Sequence, residues 1–304
     1  MVILNSLFPV IAIIVLGFFL KRSGFTTVAF LQISDKLVYY IFFPVMLFWK
    51  IGGASWETGI DWSLCFAALC ALGVLFFLSI VIIVAGRIGA FQAGSFAQSC
   101  YRFNTYIGMA IILNSLGEEG VKYFGLLISI AIPVINVAAV TTLIWYSQER
   151  MVLKSRASLL GRALLSNPLI IGCVLGIAYS NSFVGFPRFI DNCLGLLSMV
   201  TLPLALLSIG GALTFSGIRS NFKLSLVAAL TKLLIFPVIG YFCLRVFDVS
   251  GIAFQVGMIF FALPTSTAIY VLSSQMHSDT ELASSAILVS TLLSFPVLTI
   301  VLLL

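Results

Sequence analysis

Apolar runs of about twenty residues, the length a helix needs to cross the hydrocarbon core of a bilayer, recur along the whole chain between short polar stretches. Ten spans are predicted: 2–20, 28–49, 62–85, 95–115 and 122–146, then 163–180, 190–214, 222–245, 251–275 and 281–304. The longest polar stretch, 147–161, separates a first set of five spans (1–146) from a second (162–304). The expected fold is an all-α integral membrane protein of ten transmembrane helices with no soluble domain. Span 2–20 carries Asn5 and Pro9 and has no basic n-region before it, so it reads as a retained first helix and not as a signal peptide.

The two sets of spans repeat one another. Pro9 and Pro168, Gly17 and Gly176, Pro44 and Pro203, and Gly52 and Gly211 all recur at an offset of 159 residues. Asn104-Thr105 then aligns with Pro264-Thr265 at 160, and Glu118 with Asp279 at 161, the drift that small loop insertions produce. A repeat of five spans is odd, so its second copy enters the membrane from the opposite side. The result is a 5+5 inverted-topology repeat, a frequent architecture of secondary transporters.

Composition agrees with lipid as the solvent. The 304 residues are 61% hydrophobic and 9% charged, against roughly 25% charged in a soluble domain. The net charge of +6 lies in short loops and reads as topology, with no nucleic-acid partner implied. Lys21, Arg22, Arg87, Arg150, Lys154, Arg156, Arg162, Arg219 and Lys223 follow odd-numbered spans, whereas Lys50, Lys122, Arg188 and Arg245 follow even-numbered ones. The positive-inside rule then places the odd loops, including 147–161, in the cytoplasm and both termini outside. Cys65, Cys70, Cys100, Cys173, Cys193 and Cys243 have no metal-ligand spacing, and no cofactor or metal motif is present.

Two spans are interrupted by polar or helix-breaking residues. Span 95–115 contains Tyr101-Arg102-Phe103-Asn104-Thr105-Tyr106-Ile107-Gly108, and span 251–275 contains Leu263-Pro264-Thr265-Ser266-Thr267. Polar groups at that depth are costly and mark substrate or ion pathways. Pro264 removes a backbone donor, and Asn104 and Thr105 compete for backbone hydrogen bonds. A half-helix that begins after such a break aims its positive dipole end into the cavity. Arg102 and Lys232 lie deep in their spans with no equally deep Asp or Glu, which favours an anionic ligand. The candidate binding residues are Asn104, Thr105, Arg102, Pro264, Thr265, Ser266 and Lys232, with Tyr106 and Asn136 lining the cavity. The competing readings are kinks and packing for Thr265, Ser266 and Asn136, snorkelling for Arg102, and a solvated helix end for His277.

Five stretches resemble the auxin efflux carrier family of permeases: Arg102 to Gly108, Ser166-Asn167-Pro168-Leu169-Ile170-Ile171, Leu202-Pro203-Leu204-Ala205-Leu206-Leu207, Ala262-Leu263-Pro264-Thr265, and Ser278-Asp279-Thr280-Glu281-Leu282-Ala283-Ser284. The resemblance implies broken helices 4 and 9 that cross, as in bile-acid-symporter-like proteins. It also implies a scaffold of helices 1, 2, 6 and 7 that forms homodimers, and a transport unit of helices 3–5 and 8–10. Two departures, Gly108-Met109-Ala110 in place of a Gly-x-Pro and a central stretch of only 147–161, favour a compact prokaryote-type member in a bacterial cytoplasmic membrane.

The expected function is a permease for a small organic anion, a mono- or dicarboxylate with auxin-like acids included, working by elevator-type alternating access. The alternatives are a sodium-coupled organic-anion symporter of the bile-acid type and a non-transporting sensor on the same fold. With one histidine, no His-Glu-x-x-His pair and no facing mid-span aspartates, the chain does not read as an enzyme.

Overall fold

In lipid, backbone N–H and C=O groups must be satisfied within the segment, so apolar spans fold as helices. The structure is a computed structural model that describes residues 2–53, 61–146, 167–182, 185–213 and 218–303, without the side chains of 2–4, 218 and 219. Every regular element among the described residues is helical. The predicted stretch 147–161, with Arg150, Lys154 and Arg156, lies outside them, as do Arg162 and the start of span 163–180.

In chain order the helices are α1 (Val2–Arg22), α2 (Val28–Leu37), α3 (Phe43–Gly52), α4 (Trp62–Ala85), α5 (Ala90–Tyr101), α6 (Thr105–Tyr146), α7 (Pro168–Ser182), α8 (Arg188–Ala212), α9 (Ile218–Leu230), α10 (Phe236–Val246), α11 (Gly251–Ala262), α12 (Ala268–Gln275) and α13 (Thr280–Val301). Among the described residues seven continuous stretches are long and apolar enough to cross a membrane, and Pro168–Ser182 and Gly251–Ala262 are shorter apolar helices. Predicted spans 95–115 and 122–146 fall on α5 and α6, and α6 is interrupted at Gly117, where φ is 64° and ψ is −154°.

Two wide turns of π-helix, Val38–Phe42 and Thr231–Ile235, join α2 to α3 and α9 to α10. Each is followed by Phe-Pro, at Phe43-Pro44 and Phe236-Pro237. A proline cannot donate to the carbonyl four residues back. The chain widens instead, with Phe43 N–H bonded to Val38 O and Phe236 N–H to Thr231 O.

Backbone features recur at nearly the offset of the sequence repeat. After α4, Arg87 has φ 49° and Ile88 N donates to Ile83 O at 3.0 Å; after α10, Asp248 has φ 54° and Val249 N donates to Leu244 O at 2.9 Å. Both are helix ends closed by a left-handed residue. Gly117 (φ 64°) and His277 (φ 53°) are a second pair of positive-φ residues at the matching offset. His277 is exposed, as expected of a solvated helix end.

The chain divides into two compact units. The first contains α1–α3, α7, α8 and Tyr106–Ile130 of α6. Within it α1 packs along α8 and α3 along α7. Lys50 pairs with Glu118, and Trp49 Nε1 donates to Asp191 Oδ1 at 2.7 Å. The second unit contains α4, α5, the end of α6 from Ala131, and α9–α13. Here α13 packs against α9, α5, α11 and α12. Large apolar side chains such as Phe8 and Phe19 in the first unit and Phe77 and Val84 in the second are exposed, as lipid-facing side chains are.

Candidate functional site

The second unit contains both helix breaks, 102–104 and 263–267. Helix α5 stops at Tyr101, and the next residue, Arg102, is extended (φ −71°, ψ 141°); α11 stops at Ala262, and Leu263 adopts nearly the same conformation (φ −65°, ψ 142°). Both breaks therefore begin alike, 161 residues apart, one more than the sequence alignment of Asn104 with Pro264. In that register Asn104 corresponds to Thr265.

The extended residues are tied to each other and to flanking helices. Asn104 N donates to Pro264 O at 2.8 Å, one rung of backbone pairing between the two breaks. Thr265 Oγ1 donates to Ser99 O at 2.9 Å, and Thr265 N donates to Ser290 Oγ at 3.1 Å. Ser99 O and Thr265 N–H are groups that a continuous helix would have satisfied, and hydroxyls now serve them. Asn104 and Thr265 are both buried. Thr265→Val keeps the shape and leaves Ser99 O unbonded, a net loss of about 1 kcal/mol. A drop of a few degrees in the thermal midpoint of detergent-purified protein is expected, and an unchanged midpoint would count against this tie.

Arg102 lies at the end of α5 with its guanidinium across two amides. Nη1 donates to Gln98 Oε1 at 2.9 Å and Nη2 to Asn136 Oδ1 at 2.6 Å. The second bond links the break to α6 across 34 residues of sequence. A planar fork serves two acceptors at once, which a lysine cannot do in the same geometry. Helices α5, α9, α10, α11 and α12 contain no Asp or Glu, whereas α13 brings Glu281 in its first turn and α6 brings Glu118 and Glu119 in the part that clusters with the first unit.

An aromatic wall closes one side. Phe103 is edge-on to Phe260 at 4.5 Å, Phe260 to Phe261 at 5.3 Å, and Phe261 to Phe236 at 4.9 Å. Lys232 Nζ lies 4.2 Å from the centre of the Phe236 ring, and the lysine is completely buried. At the far ends of the half-helices, Ser95 Oγ donates to Ser273 Oγ at 2.8 Å and lies 2.9 Å from Ser278 Oγ, and Ser278 Oγ donates to Phe91 O at 2.9 Å. Asp279 caps α13 by accepting from Leu282 N at 2.9 Å.

The predicted residues are thus partly gathered. Arg102 touches Asn136, Asn104 touches Pro264, and Thr265 follows Pro264 with bonds to α5 and α13. Ser266 Oγ accepts from Ala268 N at 3.3 Å at the start of α12, and Thr105 opens α6. Tyr106 belongs to the first unit, edge-on to Phe43 at 4.9 Å. Sequence reasoning missed Gln98, Ser99 and Ser290. Gln98 was discoverable, four residues before Arg102 and so on the same helix face; a lone mid-span serine such as Ser290 carries no comparable signal.

The family model described as membrane transport protein matches residues 147–302. The uncharacterized transporter MJ1031 of Methanocaldococcus jannaschii is 23% identical over 307 residues, covering 98% of this chain and 97% of the relative.

Proposed function

The chain belongs to the membrane transport protein family, and on that premise we propose that it carries a small organic anion, a mono- or dicarboxylate, between the two helix breaks of its second unit. It is an integral membrane transport protein; the substrate class and mechanism are our reading. The observation that carries it is the pair of breaks bonded through Asn104 N and Pro264 O. Beside them stand the helix starts at Thr105 and Ala268 and the cation Arg102, with no acidic residue in α5, α11 or α12. Helix starts and an arginine both favour negative charge.

The ten-helix 5+5 inverted repeat belongs to the same proposal. It is supported by the recurring left-handed helix ends at Arg87 and Asp248, by the positive-φ residues Gly117 and His277, and by the matched extended residues Arg102 and Leu263. Both termini outside and 147–161 in the cytoplasm follow from the basic residues. Transport is of the elevator type: the unit with α4, α5 and α9–α13 carries the anion, and the unit with α1–α3, α7 and α8 is the scaffold and the homodimer contact. The composition of the two compact units supports that division, apart from Tyr106–Ile130, which clusters with the scaffold helices.

Uptake of radiolabelled malonate, lactate and indole-3-acetate into proteoliposomes tests the reading. At least one acid is expected to enter in sodium-free buffer above the level of empty vesicles. Uptake that requires a sodium gradient would favour the bile-acid-type symporter, and binding without uptake would favour a sensor.

A further inference from the structure

Lys232 stands apart from the other candidate residues. It lies in the π-helical turn Thr231–Ile235, is completely buried, and its Nζ has no hydrogen-bond partner among the described residues. Turns of this kind are frequent at functional sites. Five elements pack against it: α5, α9, α10, α11 and α13. Of their titratable side chains, α5 has Cys100 and Tyr101. Helix α9 has Arg219 and Lys223, α10 has Tyr241, Cys243 and Arg245 in its second half, α11 has none, and α13 has Glu281 in its first turn. No carboxylate sits on these helices near the level of Lys232. Ser225 Oγ on α9 and Ser285 Oγ and Thr291 Oγ1 on α13 are also buried with no hydrogen-bond partner among the described residues.

An ammonium has three donors and no acceptor. Enclosing one without an anion is costly, and the cost falls when an anion comes near or when the proton leaves. The Phe236 ring offers only a weak attraction in return. The arrangement therefore links the proton on Nζ to an anion in the same unit. We propose that Lys232 takes up one proton as the anion binds and returns it as the anion leaves, so that the carrier moves anion and proton together. This rests on the anion-carrier reading above. In the loading step the Nζ lone pair forms an N–H bond to a proton from water on the side of entry; in the release step that bond breaks to water on the side of exit. No oxidation or reduction occurs, and the charge transferred is that of the anion plus one.

Two measurements test it. The chain has seven lysines, at positions 21, 36, 50, 122, 154, 223 and 232, so nitrogen NMR of lysine-labelled protein in nanodiscs resolves few signals. One amine-type signal, lost in Lys232→Met, is expected in neutral anion-free buffer and should convert to the ammonium type when malonate, lactate or indole-3-acetate binds. Seven ammonium signals, unchanged into alkaline buffer, would overturn the proposal even if the variant failed to fold. In proteoliposomes containing a pH dye, entry of a labelled acid by the wild type should move protons, and Lys232→Met should lose that movement together with the pH dependence of acid binding. Wild-type uptake without proton movement would overturn the proton role and leave the carrier reading intact. No uptake of any of the three acids would overturn the carrier reading and the coupling with it.

Discussion

Gly210→Ala is expected to prevent recovery of folded protein, or to lower its thermal midpoint more than any other single substitution considered. A Cβ at Gly210 would lie 1.9 Å from Ile14 O and 2.8 Å from Ile14 C, and one at Gly17 would lie 2.1 Å from Leu207 O. These are backbone atoms, so no side-chain rotation relieves the overlap. Helices α1 and α8 approach at two glycines that face each other's main chains, the close packing that small residues permit between membrane helices. An added methyl forces the helices apart along the seam, and overpacking of this kind costs about 1–3 kcal/mol even where neighbours can give. Gly73→Ala is the control: nothing lies within 4 Å of its added Cβ, and alanine is the better helix former by about 1 kcal/mol. Fluorescence-detected size exclusion and thermal unfolding should separate the two variants. A well-folded Gly210→Ala protein with the wild-type midpoint would show that α1 and α8 are not held this close.

Much of this arrangement was legible in the sequence because lipid makes length and composition decisive. Apolar runs must become helices there, and the breaks announced themselves through Pro264 and through Arg102 and Asn104 inside apolar stretches. The π-turns before Phe43-Pro44 and Phe236-Pro237 were not legible, since Pro9, Pro133, Pro203 and Pro296 sit inside helices that do not widen. The partners of the polar groups were less legible. Asn136 lies 34 residues from Arg102, and Ser290 lies 25 residues from Thr265; nothing in the local pattern of an all-apolar helix says which face meets which neighbour. The register of the repeat shifted by one residue for a similar reason. Alignment by residue type paired Asn104 with Pro264, whereas the helix ends, set by backbone geometry, pair it with Thr265. Tyr106 shows how little chain proximity conveys: two positions from Asn104, it packs on Phe43 in the first unit.

Substitutions at Asn104 should separate the fold of the site from its use. Its main-chain N–H bonds Pro264 O at 2.8 Å and survives any change of side chain other than proline. Asn104→Ala therefore keeps the backbone rung and removes the buried amide, whose N–H donors are the groups we assign to the anion. Loss of acid uptake is expected with the protein still monodisperse. Asn104→Asp gives a sharper result because its two effects have opposite signs. The residue immediately precedes the α6 start at Thr105, where a carboxylate is favoured by the helix dipole by about 0.3–1 kcal/mol, and more where partly buried. It also lies two residues from the Arg102 guanidinium. The aspartate should thus raise the thermal midpoint of the substrate-free protein while occupying the place of the substrate's negative charge. Malonate, lactate or indole-3-acetate, whichever stabilises the wild type, should then add nothing to the variant, since a ligand raises apparent stability only as far as it still binds the folded state. Stabilisation of Asn104→Asp by the acid to the wild-type extent would remove Asn104 from the site, whatever the substrate.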